Sequence, residues 1–205
     1  MSLVTRDDQE RISGAITQAE RRTSGEIVAV IVAESASYLS TPFLIAAATA
    51  LLVPWPLIYL TWVTVQGIYT LQLLVFLCLV MALTPRRIRF RLVPRAILQS
   101  RAHRRAVEQF VARNLDTAAG RTGVLVFVSA AERYAEIIAD AGLHEKIPQS
   151  AWQQIVDDLT TDIGAERAGD GLIKAINTVG DVLARHFPPD ASVAHRLPDH
   201  LIVLD

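Results

Sequence analysis

The chain has 205 residues and a mass of 22.5 kDa, and its 51% apolar content and mean hydropathy of +0.31 are high for a water-soluble domain of this length. Twenty basic against 21 acidic residues, with pI ≈ 6.5, exclude a uniformly cationic nucleic-acid clamp. The single cysteine, Cys78, excludes an internal disulfide framework and any multi-cysteine metal site.

Thr5 with Asp8 three residues on forms a capping-box variant, and Ile12, Ile16 and Ala19 continue an apolar stripe to about Arg22, where Ser24-Gly25 breaks it. Residues 1 to 26 are charged and lack an apolar h-region, so no secretory signal is expected there. Glu26 to Val32 (EIVAVIV) is β-branched and apolar at successive positions, the pattern of a strand covered on both faces.

No ionisable Asp, Glu, Lys, Arg or His occurs from Ser35 through Pro85. Phe43 to Trp62 and Gly67 to Thr84 are each apolar enough, and at about 1.5 Å per residue long enough, to cross a bilayer, with Val63 to Gln66 as a tight turn. Tyr38, Tyr59, Trp62 and Tyr69 sit where interfacial rings belong, and Pro54 and Pro56 predict a bent first helix. A buried soluble hairpin is disfavoured because a domain this small could hardly enclose so long a charge-free stretch.

Arg86, Arg87, Arg89, Arg91, Arg95, Arg101, Arg104 and Arg105 follow within twenty residues without an acid, a net charge of +8. The positive-inside rule places this flank in the cytoplasm, and two crossings return residues 1–41 to the same side. Three readings of the basic collar stand open: a topology signal, a contact with anionic headgroups through Arg86, Arg87, Arg89, Arg91 and Arg95, and a nucleic-acid patch. The last lacks interleaved aromatics, Phe90 being alone, and no nucleic-acid partner is expected.

Ala106, Val107, Phe110, Val111 and Leu115 recur at helical spacing until Arg121-Thr122-Gly123, and Val124 to Ser129 (VLVFVS) is the second strand. With the first strand this makes a β-α-β unit into which a membrane hairpin is inserted. If the two strands are parallel neighbours, both must lie on the same side of the membrane, which favours two spans over one. Tyr134 to Asp140 follows after only Ala130 to Arg133, as in an antiparallel hairpin. Pro148 opens a helix that buries Trp152, Ile155, Val156, Leu159 and Ile163 while Asp157 and Asp158 point outward. A last helix starts near Asp170-Gly171, with Asp170 as N-cap, buries Leu172, Ile176, Val179, Leu183 and Phe187, and stops at Pro188-Pro189. In the tail, Leu197 to Asp205 holds a small apolar cluster able to dock on the domain or on a partner.

The ordered set Gly25-Glu26-Ile27-Val28, Thr122 to Ser129, Glu132 to Leu143 (ERYAEIIADAGL) and Asp170-Gly171-Leu172 resembles the TPM domain family, in its bacterial branch with a membrane hairpin after the first strand. The resemblance covers about residues 5 to 189 less the hairpin. It implies a three-layer α/β domain: a small mixed sheet of two parallel strands and one antiparallel, with about four helices. The domain parts run over residues 1–41 and 106–189, with a transmembrane hairpin over 42–85, a basic juxtamembrane segment over 86–105 and a tail over 190–205. It also implies a membrane-tethered role in assembling or maintaining membrane complexes, with divalent-cation binding and weak acid-phosphatase activity attributed to some members.

The residues themselves offer limited chemistry. There is no P-loop, Cys78 falls inside the second span, and His103, His144, His186, His195 and His200 lack paired ligand spacing for zinc. A hard cation, Ca²⁺ or Mg²⁺, would draw on Asp140 at the strand end with Glu145, Asp157 and Asp158; the alternative is a solvated acidic face and an Asx turn before Gly142. Glu132 and Arg133 form a surface pair or a partner contact. The spans contain no ionisable group, which argues against conduction and for an anchor and association surface. The expected protein is thus a bacterial inner-membrane protein with two spans and both termini cytoplasmic. It would bind an unidentified membrane-protein partner, with homo-oligomers also expected, as an assembly or maintenance module. The alternative is a divalent-metal-dependent phosphatase at the membrane surface.

Overall fold

The computed structural model describes residues 4–36, 38–60, 62, 64–115, 122–165, 167–189 and 201–204, without the side chains of residues 86 and 87. Two units divide these residues: 1–35 with 99–205, and 36–98.

The first unit is organised by β1 (Glu26–Val32), buried at all seven positions as its unalternated apolar sequence requires. Beside it lie β2 (Gly123–Ser129), β3 (Tyr134–Ala139) and β4 (Ile202–Leu204), in the order β3-β2-β1-β4. β1 and β2 are parallel from Glu26↔Gly123 to Val32↔Ser129, and β2 and β3 are antiparallel from Val124↔Ala139 to Ser129↔Tyr134. The fourth strand comes from the apolar cluster of the tail, which pairs parallel to β1 at Val30↔Ile202 through Val32↔Leu204. Three residues carry too little pattern to be read as a strand, and residues 190–200 and 205 of that tail lie outside the described set.

Because β4 reaches only Val30 to Val32, the earlier outward N–H groups of β1 need another acceptor. Glu20, buried at the end of α1 (Arg6–Glu20), supplies one: its Oε1 accepts from Ile27 N–H at 2.8 Å. The other end of α1 is closed by the predicted capping box between Thr5 and Asp8. That arrangement holds the Asp8 carboxyl below its ordinary range, chiefly through the Thr5 hydroxyl and then the Thr5 N–H.

Three layers result. On one face, Ile27, Ala29, Ile31, Val124, Val126 and Val128 pack against α1, α8 (Gln149–Gly164) and α9 (Ala168–His186). On the other, Val28, Val30, Leu125 and Phe127 meet Ala106 and Phe110 of α6 (Arg95–Ala112). The buried stripe of α6 includes Ala102, Ala106 and Phe110, whereas Val107 and Val111 remain 41% and 55% exposed. Their positions fit helical spacing, but the helix turns Ala106 and Phe110 to the sheet.

Two glycines set close approaches. A Cβ on Gly123 would lie 2.5 Å from the Leu115 carbonyl oxygen, and one on Gly180 would lie 2.7 Å from Cβ of Ala19, where α9 crosses α1. The α1/α9 contact is further tied by Arg22 to Asp181 at 2.6 Å and Arg11 to Asp170 at 2.8 Å. Asp170 is therefore not the N-cap of α9: the helix starts at Ala168, Arg167 precedes it without a side-chain cap, and Asp170 in the first turn meets Arg11 instead.

The second unit holds α2 (Ser40–Leu52), α3 (Pro54–Leu60), α4 (Val65–Leu83) and α5 (Arg86–Leu92). The first apolar segment, Ser40–Leu60, breaks at Val53 ahead of Pro54, the bend that proline predicts. It has 21 residues and Val65–Leu83 has 19, each long and apolar enough to cross a membrane. Both begin a few residues before the ranges read from sequence. Thr64 caps α4 by accepting from Gly67 N–H at 3.4 Å, which starts the helix at Val65; residues 61 and 63 of the turn are outside the described set. Thr49 and Thr70 donate to the carbonyls four residues back at 2.8 Å, so their hydroxyls need no water. α2 buries Pro42, Ala46 and Ala50 at four-residue spacing, and Phe43 meets Phe76 edge to face at 5.3 Å. Leu44, Leu51, Trp55, Leu73 and Met81 are exposed.

Gly123→Ala forces a methyl onto backbone rather than onto a yielding side chain. It is expected to destabilise the first unit by about 1–3 kcal/mol, read as a lower urea midpoint with unchanged slope for the detergent-solubilised chain.

Candidate functional site

Parallel strands present their C-terminal ends as the common place for sites in α/β folds. Here that edge carries two polar groups. Ser129, the last residue of β2, is fully buried and its hydroxyl donates to Glu132 Oε2 while accepting from the Ser35 hydroxyl at 2.8 Å. Glu132 Oε1 also accepts from Ser35 N–H at 2.9 Å. Ala130 and Ala131 donate to the carbonyls of Val32 and Ala33 at 3.0 and 3.2 Å, so the β2–β3 turn is bound to the end of β1. Glu132 thus bonds to the two serines, where a surface pair with Arg133 was one of the two sequence readings.

Across the hairpin, Tyr134 stands opposite Ser129, and Glu136 follows two residues later on the same face. Glu136 accepts from the Tyr134 hydroxyl at 3.0 Å and contacts His103 Nδ1 at 2.8 Å. Burial first, then the Glu136 charge and hydrogen bond, push the Tyr134 phenol well above its ordinary value of 10. Arg133 between the two groups is exposed and takes φ of 50°, a left-handed turn conformation uncommon for a side chain with a Cβ.

The four acids singled out for a cation occupy other places. Because β3 runs antiparallel, Asp140 lies at the opposite end of the sheet. It is buried, its N–H donates to the Gly123 carbonyl and its Oδ1 accepts from Ala141 N–H at 2.6 Å, capping the short α7 (Ala141–His144). Glu145 is the exposed C-cap of α7. Asp157 accepts from Gln153 at 2.9 Å and Asp158 pairs with Lys174 at 2.8 Å, both on the outer face of α8. Lys174 is raised above its ordinary value, chiefly by that hydrogen bond. Among the described residues, no three His, Cys, Asp or Glu side chains gather as a metal-ligand set.

The edge cluster holds Ser129 buried against Glu132. Its geometry fixes where β1 ends and where the chain leaves the sheet at Ser35. Sequence reasoning reached Glu132 and Arg133 but not Ser35, Ser129, Tyr134 or Glu136. A serine ending an apolar strand three residues before a glutamate was the available signal, and the i, i+2 pair Tyr134/Glu136 was another. His103 arrives from 33 residues away without any local mark.

The family model of the TPM domain matches residues 81–182, from the end of α4 through most of α9. The NMR structure of BA42 protein from the psychrophilic bacterium Bizionia argentinensis shares the fold with a TM-score of 0.62 at 16% identity, over 98% of this chain and 96% of that one. No curated protein matches the chain.

A group whose pKa rises on folding loses its stabilising contribution as pH climbs above its unfolded value. Tyr134 is therefore expected to add a fall in stability above about pH 10, and Tyr134→Phe to remove part of that slope. Denaturation midpoints measured from pH 8 to 11 check this.

Proposed function

We propose that this chain, which belongs to the TPM domain family, is a two-span membrane protein whose TPM domain lies wholly in the cytoplasm and serves as an interaction module for assembling or maintaining a membrane complex. One observation carries the reading. β1 precedes the apolar segments and β2 follows them, yet the two are hydrogen-bonded parallel neighbours over seven residue pairs. Strands so paired share one compartment, so the chain between them crosses the bilayer an even number of times.

The arginines supply the orientation. Arg86 to Arg105 holds +8 immediately after α4, and Arg91 and Arg95 are exposed, so the flank favours the cytoplasmic face and its anionic headgroups. Each arginine near such a surface contributes about 1 kcal/mol. The exposed apolar sides of α2 and α4 face lipid, and their lack of ionisable groups supports an anchor rather than a conduit.

Single-cysteine labelling in intact bacterial cells tests the topology. In a Cys78→Ser background, Trp62→Cys is expected to react with a membrane-impermeant maleimide and Lys174→Cys only after lysis. Equal labelling of both positions before lysis would overturn the reading. Replacing Arg86, Arg87, Arg89, Arg91 and Arg95 by Gln is expected to mix the orientations.

A further inference from the structure

The sheet order leaves β3 with one strand neighbour among the described residues. Asp140 N–H donates to the Gly123 carbonyl at 2.9 Å, which makes that opposed pair a hydrogen-bonded one. Alternation along the ladder then turns the backbone groups of Ile138, Glu136 and Tyr134 toward β2 and those of Ala139, Ile137 and Ala135 outward. Edge strands are ordinarily blunted by charge, proline or a bulge. The one charged residue of β3, Glu136, is held back by Tyr134 and His103.

A groove of about 330 Å³ follows this edge. Residues 133–137 line it consecutively, so it takes side chains from both faces of the strand and lies along the edge itself. Gln99 borders it from α6, and Gln149, Gln153, Val156 and Thr160 border it from α8. That α8 stripe is about 17 Å long, the length of about five residues of extended chain. The Trp152 indole, 2% exposed, also lines the groove, and its Nε1 has no hydrogen-bond partner among the described residues. Arg133 stands at one end, exposed, with no carboxylate paired to it among the described residues.

Resting on the interaction-module reading above, we propose that this groove is a β-augmentation site. An extended segment of a partner polypeptide adds to the outer edge of β3 through Ala135 and Ile137, with an acidic side chain or C-terminal carboxylate on Arg133. Outward donors and acceptors at every second residue are matched by another peptide backbone, whereas a lipid headgroup or free anion would engage Arg133 alone. Glutamine and threonine walls interleaved with Trp152 and Val156 suit alternating side chains of modest size. The guanidinium end selects a negative charge, and its bidentate geometry favours a carboxylate.

The test uses the full chain in nanodiscs, panned against a displayed library of random heptapeptides. Enriched peptides are expected to carry an acid at one fixed position. Bound, they should slow exchange of the Ala135 and Ile137 amides by about tenfold or more. Arg133→Glu should weaken them by about tenfold or more, with affinity recovered when lysine replaces the fixed acid. Ile137→Pro, which removes an outward N–H but leaves the β2–β3 ladder, should abolish binding; the charge swap stands independently if that variant fails to fold. Failure to enrich any peptide, or binding indifferent to Arg133→Glu without protection at those amides, overturns the proposal. So does concentration-dependent protection in the chain alone, which would give the edge to a second copy. Partner crosslinks in native membranes that persist in the Arg133→Glu chain would discard the groove and leave the module reading standing.

Discussion

Parallel pairing of β1 with β2 is the constraint from which the other features follow. A parallel pair always needs a crossover, and here the intervening chain contains two apolar helices as well as α6. The pairing places β1 in the middle of the sheet, buried on both faces. It also makes the ends of β1 the points where polar groups have to be managed. Glu20 does so at the start, accepting from Ile27 where β4 does not reach. Ser35, Ser129 and Glu132 do so at the finish, where the chain leaves the sheet. Both are buried or half-buried side chains doing work that a longer neighbouring strand would otherwise do.

The same constraint makes the architecture legible in the sequence. EIVAVIV and VLVFVS have no polar alternation, the pattern of strands covered on both sides, and a layered α/β fold covers two such strands. The proline bend at Val53 and the capping box at Thr5 were also readable, because each depends on local backbone chemistry alone. The misses have a common cause. Asp170 has the chemistry of an N-cap, but tertiary contact with Arg11 takes it. The apolar spacing of α6 marks the helix without marking which of its residues meet the sheet, and these are Ala106 and Phe110 rather than Val107 and Val111. The tail strand contributes three residues, too few for any period to register.

The candidate site was less legible than the fold. Two of its residues, Glu132 and Arg133, were visible as charges in a short turn, but their partners depend on register. Ser129 meets Tyr134 because β2 and β3 are aligned that way, and one residue of slip would send Tyr134 and Glu136 to the opposite face. The acids chosen for a cation illustrate the reverse problem. Asp140, Glu145, Asp157 and Asp158 lie close in sequence, while the antiparallel turn and the outward face of α8 spread them among capping and ion-pair duties. Each carboxylate's contacts follow from the secondary-structure element that carries it.

Native-state hydrogen exchange of the full chain in nanodiscs tests the central pairing most directly, read at the amides of Val28 and Val30 in β1 and of Val124 and Val126 in β2. If β1 and β2 form one ladder across the inserted segment, these amides lose protection together at the same denaturant concentration, through one opening that exposes both strands. Loss of protection in β1 well before β2 would mean that the strands are not a cooperative pair. It would remove the reason for placing both in one compartment.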